Sequence, residues 1–461
     1  MRGLKLGETM EPFRYHVFIC NQCKAEGVPC CAVRGSGSVI EALRHEIAAQ
    51  GLLDEVQITL CGSVGLCERG PNMVVYPEGV WYSAVQPKDV PEIVRSHFQQ
   101  GRAVERLVSR GVAALKEEIQ SNRNKALAAM KAREASGELP DDLLQTIRGF
   151  QESRAILTGI ELGIFAAIGD GATASQVAAK IGTDARATEM LLNALVAMGM
   201  LAKTDGLFHA TPVTARYFGG RSPDDARAAM MHTVHLWHLW STLTECVRSG
   251  TSVTRQEAAG PGDDWTEAFI AAMHHNARAR APQVVQAVGI KGSLRMLDVG
   301  GGSGAYSIAF AQANEMLQVD LLDLPDVLPI AQRYIEKAGL GHRIKTRPGD
   351  LRTDLLGQGF DLIFISAICH MLGPDDNRDL LKRCHTALAP KGRIVISDFI
   401  LEADKTAPKQ AALFALNMLV GTRDGSSYSE IEYGAWLREA GFQNVNRIRL
   451  PGPAHLMVGT R

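Results

Sequence analysis

The sequence predicts an α/β multidomain protein, and three observations predict it. Strand and helix patterns alternate over residues 285–461, with the run VGGGSG as the first turn of that alternation. A separate strand–helix–strand pattern carrying Cys20, Cys23, Cys30, Cys31, Cys61 and Cys67 precedes residue 70. Between the two lies a helical stretch closed by a short hairpin. The 461 residues suffice for about three domains at ~100–200 residues each. At 46% hydrophobic residues, the chain can bury a sizeable core. Lys and Arg number 49 against 50 Asp and Glu, a balance that argues against a nucleic acid or an acidic membrane as partner. No apolar run approaches the ~18–20 residues of a membrane span, and the start MRGLKLGETMEP lacks the apolar stretch of a signal peptide. The expected location is cytoplasmic.

Element by element, RYHVFI alternates as a strand, SVIEALRHEIAAQG has helical spacing and ends on Gly51, and VQITL is a second strand. MVVYPEG and VWYSAV read as two strands about a tight turn, and PKDVPEIVRSHFQQG as a helix punctuated by Pro87 and Gly101. In a reducing compartment the cysteines of this region are not expected to form disulfides. Thiolates gathered on two loops hold a soft metal or an iron–sulfur cluster, because deprotonated sulfur neutralises and fits such a centre. Zinc stays open on spacing alone.

Residues 102–140 are rich in Lys, Arg and Ala, have no aromatic residue, and read as a solvated helical linker, with partner docking as the alternative. Within 141–255, ATASQVAAKIGTDARATEMLLNALVAMGMLAKTDGLFHATP gives two helices joined by a short turn and a hairpin turning at Asp205-Gly206, the layout of a winged helix. Its second helix offers no Lys or Arg beyond Arg186, too little cation for tracking phosphates, so dimerisation is the preferred reading over DNA binding.

In the last region RMLDVGGGSGAYSIAFAQ is a strand, a glycine turn and a helix, a geometry that presents backbone N–H groups to a ligand. QVDLLDLP then ends a strand at Asp323, placed to accept hydrogen bonds from a ribose. Gly300, Gly302 and Ala305 also satisfy the dinucleotide fingerprint, a weak signal. Asp298 before the glycines, PGDL at 348–351, and two terminal strands NVNRIRL and HLMVGT tilt the reading toward S-adenosylmethionine.

On LDVGGGSG, the DLP of LLDLPDV, PGDL and SAICHMLGPDDNRDLLKRCHTALAPKGRIVISDFIL, the chain from about 141 onward resembles the O-methyltransferases that include plant caffeic acid and isoflavone enzymes, animal acetylserotonin methyltransferase and bacterial pigment or antibiotic methylases. The resemblance implies a helical winged-helix dimerisation domain over 141–255 that forms an intertwined homodimer, and a Rossmann-like methyltransferase domain over 256–461 with a C-terminal antiparallel hairpin. It implies cofactor contacts from Asp298, Gly300, Gly302, Asp323, Leu324, Asp350, Leu351 and Ser366, and a small-molecule acceptor pocket lined by His235, Met273, His274 and Met418. His370, in a matching I-C-H context beyond FDLIFIS, is the implied general base, and Asp398 the carboxylate that orients it. Ser426 and Ser427 stand where the family carries a second acid, and Met371-Leu372 replaces its Asp-Trp. His232, His235 and His238 sit three apart on one helix; lining of the acceptor pocket or of the dimer core is preferred there over metal or haem ligation.

Residues 15 to about 108 resemble thioredoxin-like ferredoxins with one [2Fe-2S] cluster, on CERGPNMVVYPEGVWY and the following VERL. That resemblance implies a ferredoxin domain over 14–101 and the ligands Cys20, Cys31, Cys61 and Cys67. The third ligand of many members falls here on Ser63, so Cys61 is expected to reach the cluster from a lengthened loop; Cys30 competes with Cys31, and Cys23 has no counterpart. The expected activity is S-adenosylmethionine-dependent O-methylation of a small aromatic, quinol or pigment-like acceptor. The alternatives are a hydroxylase or decarboxylase on the same fold, or a redox-sensing or electron-carrying protein with an electron-transfer partner.

Overall fold

The computed structural model describes residues 12–461 apart from 25–27, 110, 223, 255–262, 291 and 293. The expectation for the first residues and the expected boundary at 255/256 lie outside the described residues. The chain divides into two compact units, residues 1–149 and 150–461. Among the described residues no helix is long and apolar enough to cross a membrane.

The first unit starts with β1 (Tyr15–Cys20), α1 (Ser36–Ala49) and β2 (Val56–Cys61), followed by β3 (Met73–Tyr76) and β4 (Val80–Tyr82). The sheet order is β2-β1-β3-β4, with β1 and β2 parallel and β3 antiparallel to β1. Val17 and Ile19 alternate inward on β1 and meet Val39, Ile40, Leu43 and Ile47 from one face of α1, which is why a period-2 and a period-3.6 pattern share one core. The expected helix after Pro87 forms as a 3₁₀ turn, a short α2 (Val90–Ile93) and a wider π turn to Gln99.

Residues beyond 101 depart from a free linker. Leu107 accepts from the Ser83 N–H at 3.1 Å and Ser109 donates to Trp81 at 2.8 Å, so this stretch extends the edge at β4. Next, α3 (Val112–Ser136) lies against the loop that carries Cys67: Asn122 Nδ2 donates to the Gly65 carbonyl at 2.8 Å, Arg69 pairs with Glu118 at 2.6 Å, and Ile119 sits over Gly65. The charge-rich composition concealed Leu115 and Ile119, one helical turn apart, which give the helix an inward face.

A long helix, α4 (Asp141–Glu161), leads to α5 (Ile164–Ile168), α6 (Ala174–Ile181), α7 (Ala185–Ala197) and the hairpin β5 (Leu201–Thr204) and β6 (Leu207–Ala210). Asp205 and Gly206 both take positive φ at that turn, the conformation a two-residue hairpin requires. Thr173 caps α6 and Asp184 caps α7 through their side-chain oxygens. Four helices follow, α8 (Pro212–Phe218), α9 (Arg227–Trp240), α10 (Leu243–Ser249) and α11 (Asp263–Val288).

The remaining elements are β7 (Arg295–Val299), α12 (Ala305–Ala313), β8 (Gln318–Asp323), α13 (Leu328–Lys337), β9 (Ile344–Pro348), β10 (Phe360–Ser366), α14 (Pro374–Ala387), β11 (Leu388–Asp398), α15 (Lys409–Gly421), α16 (Glu430–Glu439), β12 (Gln443–Ile448) and β13 (His455–Thr460). They build a seven-stranded sheet in the order β12-β13-β11-β10-β7-β8-β9. All contacts among β7 to β11 are parallel, whereas β13 runs antiparallel between β11 and β12, the expected inserted hairpin. The order reverses beside β7, so the crevice at the carboxyl ends of β7, β8 and β10 is where a ligand belongs.

Phe364 at the middle of β10 is fully buried between Tyr306 and Phe310 of α12. Phe364→Ala should lower the stability of this unit by about 3–5 kcal/mol. Chemical denaturation checks it, and a loss below about 1 kcal/mol would contradict this packing role.

Candidate functional site

At the end of β7 the chain turns through Gly300 and Gly302, both at positive φ, and enters α12 at Ala305. Glycine is required here twice over: a Cβ at Gly301 would lie 2.6 Å from Leu321, and one at Gly300 would collide with Ile368. The Gly300 N–H bonds back to the Leu322 carbonyl at 2.8 Å, which leaves the turn tight against β8.

Three expected cofactor residues meet at this turn. Asp323, the last residue of β8, accepts from the Gly302 N–H and the Leu324 N–H, each at 2.7 Å, while burial holds its carboxyl above the usual range. Asp298 is buried under the glycines, accepts from Ser307 Oγ at 2.6 Å, and is pushed up to about 7, chiefly by burial and then by Asp323. Leu324 is exposed beside Asp323. Asp350 and Leu351 lie in the turn after β9, where Asp350 Oδ1 accepts from the Arg352 N–H at 2.8 Å and Leu351 packs on the core. Ser366 ends β10 next to the Tyr306 phenol.

Beyond Ser366, a short 3₁₀ turn presents His370, which is 5% exposed. Its Nδ1 lies 2.6 Å from Asp398 Oδ1 at the end of β11, and its backbone N–H reaches Asp398 Oδ2 at 3.2 Å. Tyr433 donates its hydroxyl to Asp398 Oδ2 at 3.0 Å, and the Phe399 N–H donates to Oδ1 at 2.8 Å. An acceptor-only carboxylate on Nδ1 assigns the proton to that nitrogen, so Nε2 carries the lone pair. Phe414 of α15 stands edge-on to the imidazole at 4.8 Å and stacks on Phe399 at 4.0 Å.

Expected pocket residues divide. Met418 is buried on the helix that carries Phe414, and His235 is half-buried on α9, which Trp240 ties to Asn417 at 2.9 Å. His274 turns toward the glycine loop, with Nδ1 2.8 Å from Ser303 Oγ and its ring stacked on Tyr334 at 3.9 Å; Met273 beside it is half-buried. Ser427, at the position of the missing acid, is buried with its Oγ unpaired. Phe414 and Tyr433 escaped the sequence reading, since neither lies in a motif; Phe399 had a faint signal as the neighbour of Asp398.

In the first unit, Cys20 and Cys61 end β1 and β2 in direct register. Cys61 therefore stands at a strand end and not on the lengthened loop the spacing suggested. Cys31 is buried, hydrogen-bonded with Cys20, and its thiol is pushed up to about 11, first by burial. Cys67 begins a 3₁₀ turn with Ser63 Oγ 3.2 Å from its sulfur. The backbone N–H of Val33 holds the Cys30 thiol below its usual range, and Cys23 is exposed. All of these thiols are free. Among the described residues no three His, Cys, Asp or Glu side chains converge as a ready-made metal cage, His232, His235 and His238 included.

A doubly wound sheet with an inserted terminal hairpin, a glycine turn under a strand-end carboxylate, and a buried imidazole beside it define an S-adenosylmethionine-dependent methyltransferase. Residues 144–219 match the O-methyltransferase dimerisation domain family and residues 240–443 the O-methyltransferase domain family. The 3-hydroxy-5-methyl-1-naphthoate 3-O-methyltransferase of Streptomyces sahachiroi is 33% identical over 337 residues, covering 70% of this chain and 97% of that protein. The S-adenosyl-L-methionine-dependent methyl transferase PigF of a Serratia species is 29% identical over 69% of this chain and 95% of its own. The solved structure of PigF with SAH superposes with a TM-score of 0.66 at 28% identity, over 70% of this chain and all of that one. The chain belongs to the O-methyltransferase family. Residues 1–143 precede both family matches.

The buried Asp298 generates a pH dependence. Its folded pKa of about 7 lies above the ordinary 3.8, so its ionisation costs the fold nothing below about pH 4 and stability is lost as pH rises from there toward 7. Asp298→Asn should remove that loss, so the ligand-free variant gains on the parent by a few kcal/mol between about pH 4 and pH 7. Parallel denaturation curves at both pH values check it; an unchanged difference would show Asp298 ionised without penalty.

Proposed function

We propose that this enzyme methylates a phenolic or quinol oxygen of a small aromatic or pigment-like acceptor, working as a homodimer through its dimerisation domain. The observation that carries the reading is the buried His370–Asp398 pair at 2.6 Å, which fixes an imidazole with a free Nε2 at the ligand-facing end of the sheet. Bound S-adenosylmethionine supplies a methyl group on a sulfonium, and the turn at Gly300–Gly302 with Asp323 fits its nucleoside. His370 Nε2 takes the acceptor's hydroxyl proton as the oxygen forms its bond to the methyl carbon and the carbon–sulfur bond breaks. The proton stays on an imidazolium that Asp398 stabilises. The Phe399–Phe414 stack beside His370 supplies a flat, apolar surface suited to an aromatic ring, with Met418 and His235 proposed to line the same pocket. The Streptomyces relative named as a hydroxynaphthoate O-methyltransferase supports an aromatic acceptor.

The first unit is proposed to be a thioredoxin-like [2Fe-2S] domain held by Cys20, Cys31, Cys61 and Cys67. Its β1-α1-β2 crossover with an added hairpin supports the fold, and the register of Cys20 with Cys61 together with the hydrogen bond between Cys20 and Cys31 supports part of the ligand set. Cys31 is preferred over Cys30, because Cys31 is hydrogen-bonded with Cys20 at the end of β1. An electron-transfer partner belongs to the same reading. The four-part division at 14–101, 102–140, 141–255 and 256–461 is retained as a functional division, with α3 belonging to the first unit.

His370→Ala should lower turnover by roughly 10²–10⁴-fold with cofactor affinity nearly unchanged, and Asp398→Asn by at least about 10²-fold, since it reverses the tautomer. Single-turnover rates with a phenolic acceptor, alongside calorimetry of S-adenosylmethionine, check both; an unchanged rate for His370→Ala would remove the base. For the first unit, protein purified without oxygen should contain two irons and two sulfides per chain and absorb visible light that bleaches on reduction. Cys23→Ser should leave that spectrum intact while Cys67→Ser disrupts it.

A further inference from the structure

Asn72 occupies an unusual place among the cysteines. It is 1% exposed, and it bonds to three points of the cysteine loops at once. Its carbonyl accepts from the Cys20 N–H at 3.0 Å. Its Nδ2 donates to Cys31 Sγ at 3.4 Å and to the Leu66 carbonyl at 2.8 Å, the residue before Cys67. Its Oδ1 has no partner. That orphan fixes the orientation of the amide: a flipped side chain would turn an oxygen toward the Leu66 carbonyl and lose both bonds. A buried amide with one unpaired oxygen costs stability, and the bonds of its two N–H donors are what offset it.

The approach is enforced from the other side as well. A Cβ at Gly70 would lie 2.8 Å from Cys31 Sγ, so the glycine allows the 70–72 backbone to close on that sulfur. The Cys67 loop is held externally by α3, through Asn122 on the Gly65 carbonyl, in a contact that touches no sulfur. Inner and outer ties thus act on the same loop by different means.

We propose that Asn72 is a positioning residue of the cysteine site, which ties the Cys20, Cys31 and Cys67 segments together and tunes the electron affinity of the centre through its N–H···S bond to Cys31. The inference rests on the reading of these cysteines as a [2Fe-2S] site. An N–H donor on a ligating sulfur withdraws electron density and favours the reduced centre, so its removal makes reduction harder. Two donors in one rigid amide also set the spacing between the Cys31 sulfur and the Cys67 loop, which a flexible side chain would not.

The test is optical redox titration of the full chain, parent against Asn72→Ala and Asn122→Ala. Asn72→Ala should shift the midpoint potential to more negative values, and Asn122→Ala, which loosens the same loop without touching a sulfur, should leave it at the parent value. Equal shifts in both variants, or no shift in Asn72→Ala, would overturn the tuning role. Where Asn72→Ala holds no iron, its thermal unfolding against parent stripped of iron decides: equal melting of the first unit supports a tie specific to the site, and loss of that melting assigns Asn72 to the general fold and overturns the proposal. Parent protein without iron and sulfide would remove the cluster reading itself, an outcome distinct from a loaded parent whose potential ignores Asn72.

Discussion

The Asp398 carboxylate is the interaction on which the candidate methyl-transfer site depends. It is buried at the end of β11, and four donors converge on it: the His370 ring, the His370 N–H, the Phe399 N–H and the Tyr433 hydroxyl. A buried carboxylate without partners would cost several kcal/mol or take up a proton. With four, it ties the turn after β10, the end of β11 and the face of α16 into one constellation. The orientation of the imidazole follows from this arrangement. Each of the two oxygens accepts from two donors, so no single contact alone sets the carboxylate and the imidazole it orients is held stiffly.

Three strand-end carboxylates of this sheet are set to different behaviour by their surroundings alone. Asp298 accepts from the hydroxyl and the backbone N–H of Ser307 under the glycine turn, yet burial wins and pushes it up to about 7. Asp323 has two backbone donors and is held above the usual range by a smaller margin of competing effects. Asp398 has four donors, two of them from His370. Parallel strands bring such groups to one edge because each ends at the same face of the sheet, and loops then decide how much water and how many donors each receives. Spacing in the sequence locates the three acids. It does not rank them, because the ranking lies in contacts from α12, α16 and the turns.

That division also marks how much was legible beforehand. The glycine turn, the strand ends at Asp298, Asp323 and Asp398, the inserted hairpin and the winged hairpin at Asp205-Gly206 all follow from local patterns or from motif resemblance, since each is built within a few residues. The Phe414 wall and the Tyr433 hydroxyl were invisible for the opposite reason: each meets its partner from a separate helix, and nothing near them in sequence marks the meeting. Composition misled at α3, where many charges hid two inward residues and an asparagine aimed at Gly65. Cys61 was expected on a loop because the motif spacing was counted along the chain, whereas the register of β2 against β1 sets it opposite Cys20.

Methyl transfer from a sulfonium moves a carbon and a proton but no electrons, so nothing in the bond-making at His370 calls for a redox centre. On the proposed reading, a cluster in the first unit would bear on methylation by one of two physical routes. It would change the acceptor, since a quinol has the hydroxyl that the proposed base His370 would deprotonate and the corresponding quinone has none; or it would change the geometry of the first unit, through loops whose packing responds to the state of the sulfurs. The second route has a visible substrate in the first unit, where the loop ending at Cys67 is held inside by Asn72 and outside by α3. The first route asks nothing of the fold beyond a phenolic acceptor with a reversible oxidised form. The two differ in what they require of the acceptor: a monophenol that cannot cycle to a quinone would respond to the state of the cysteines only through geometry.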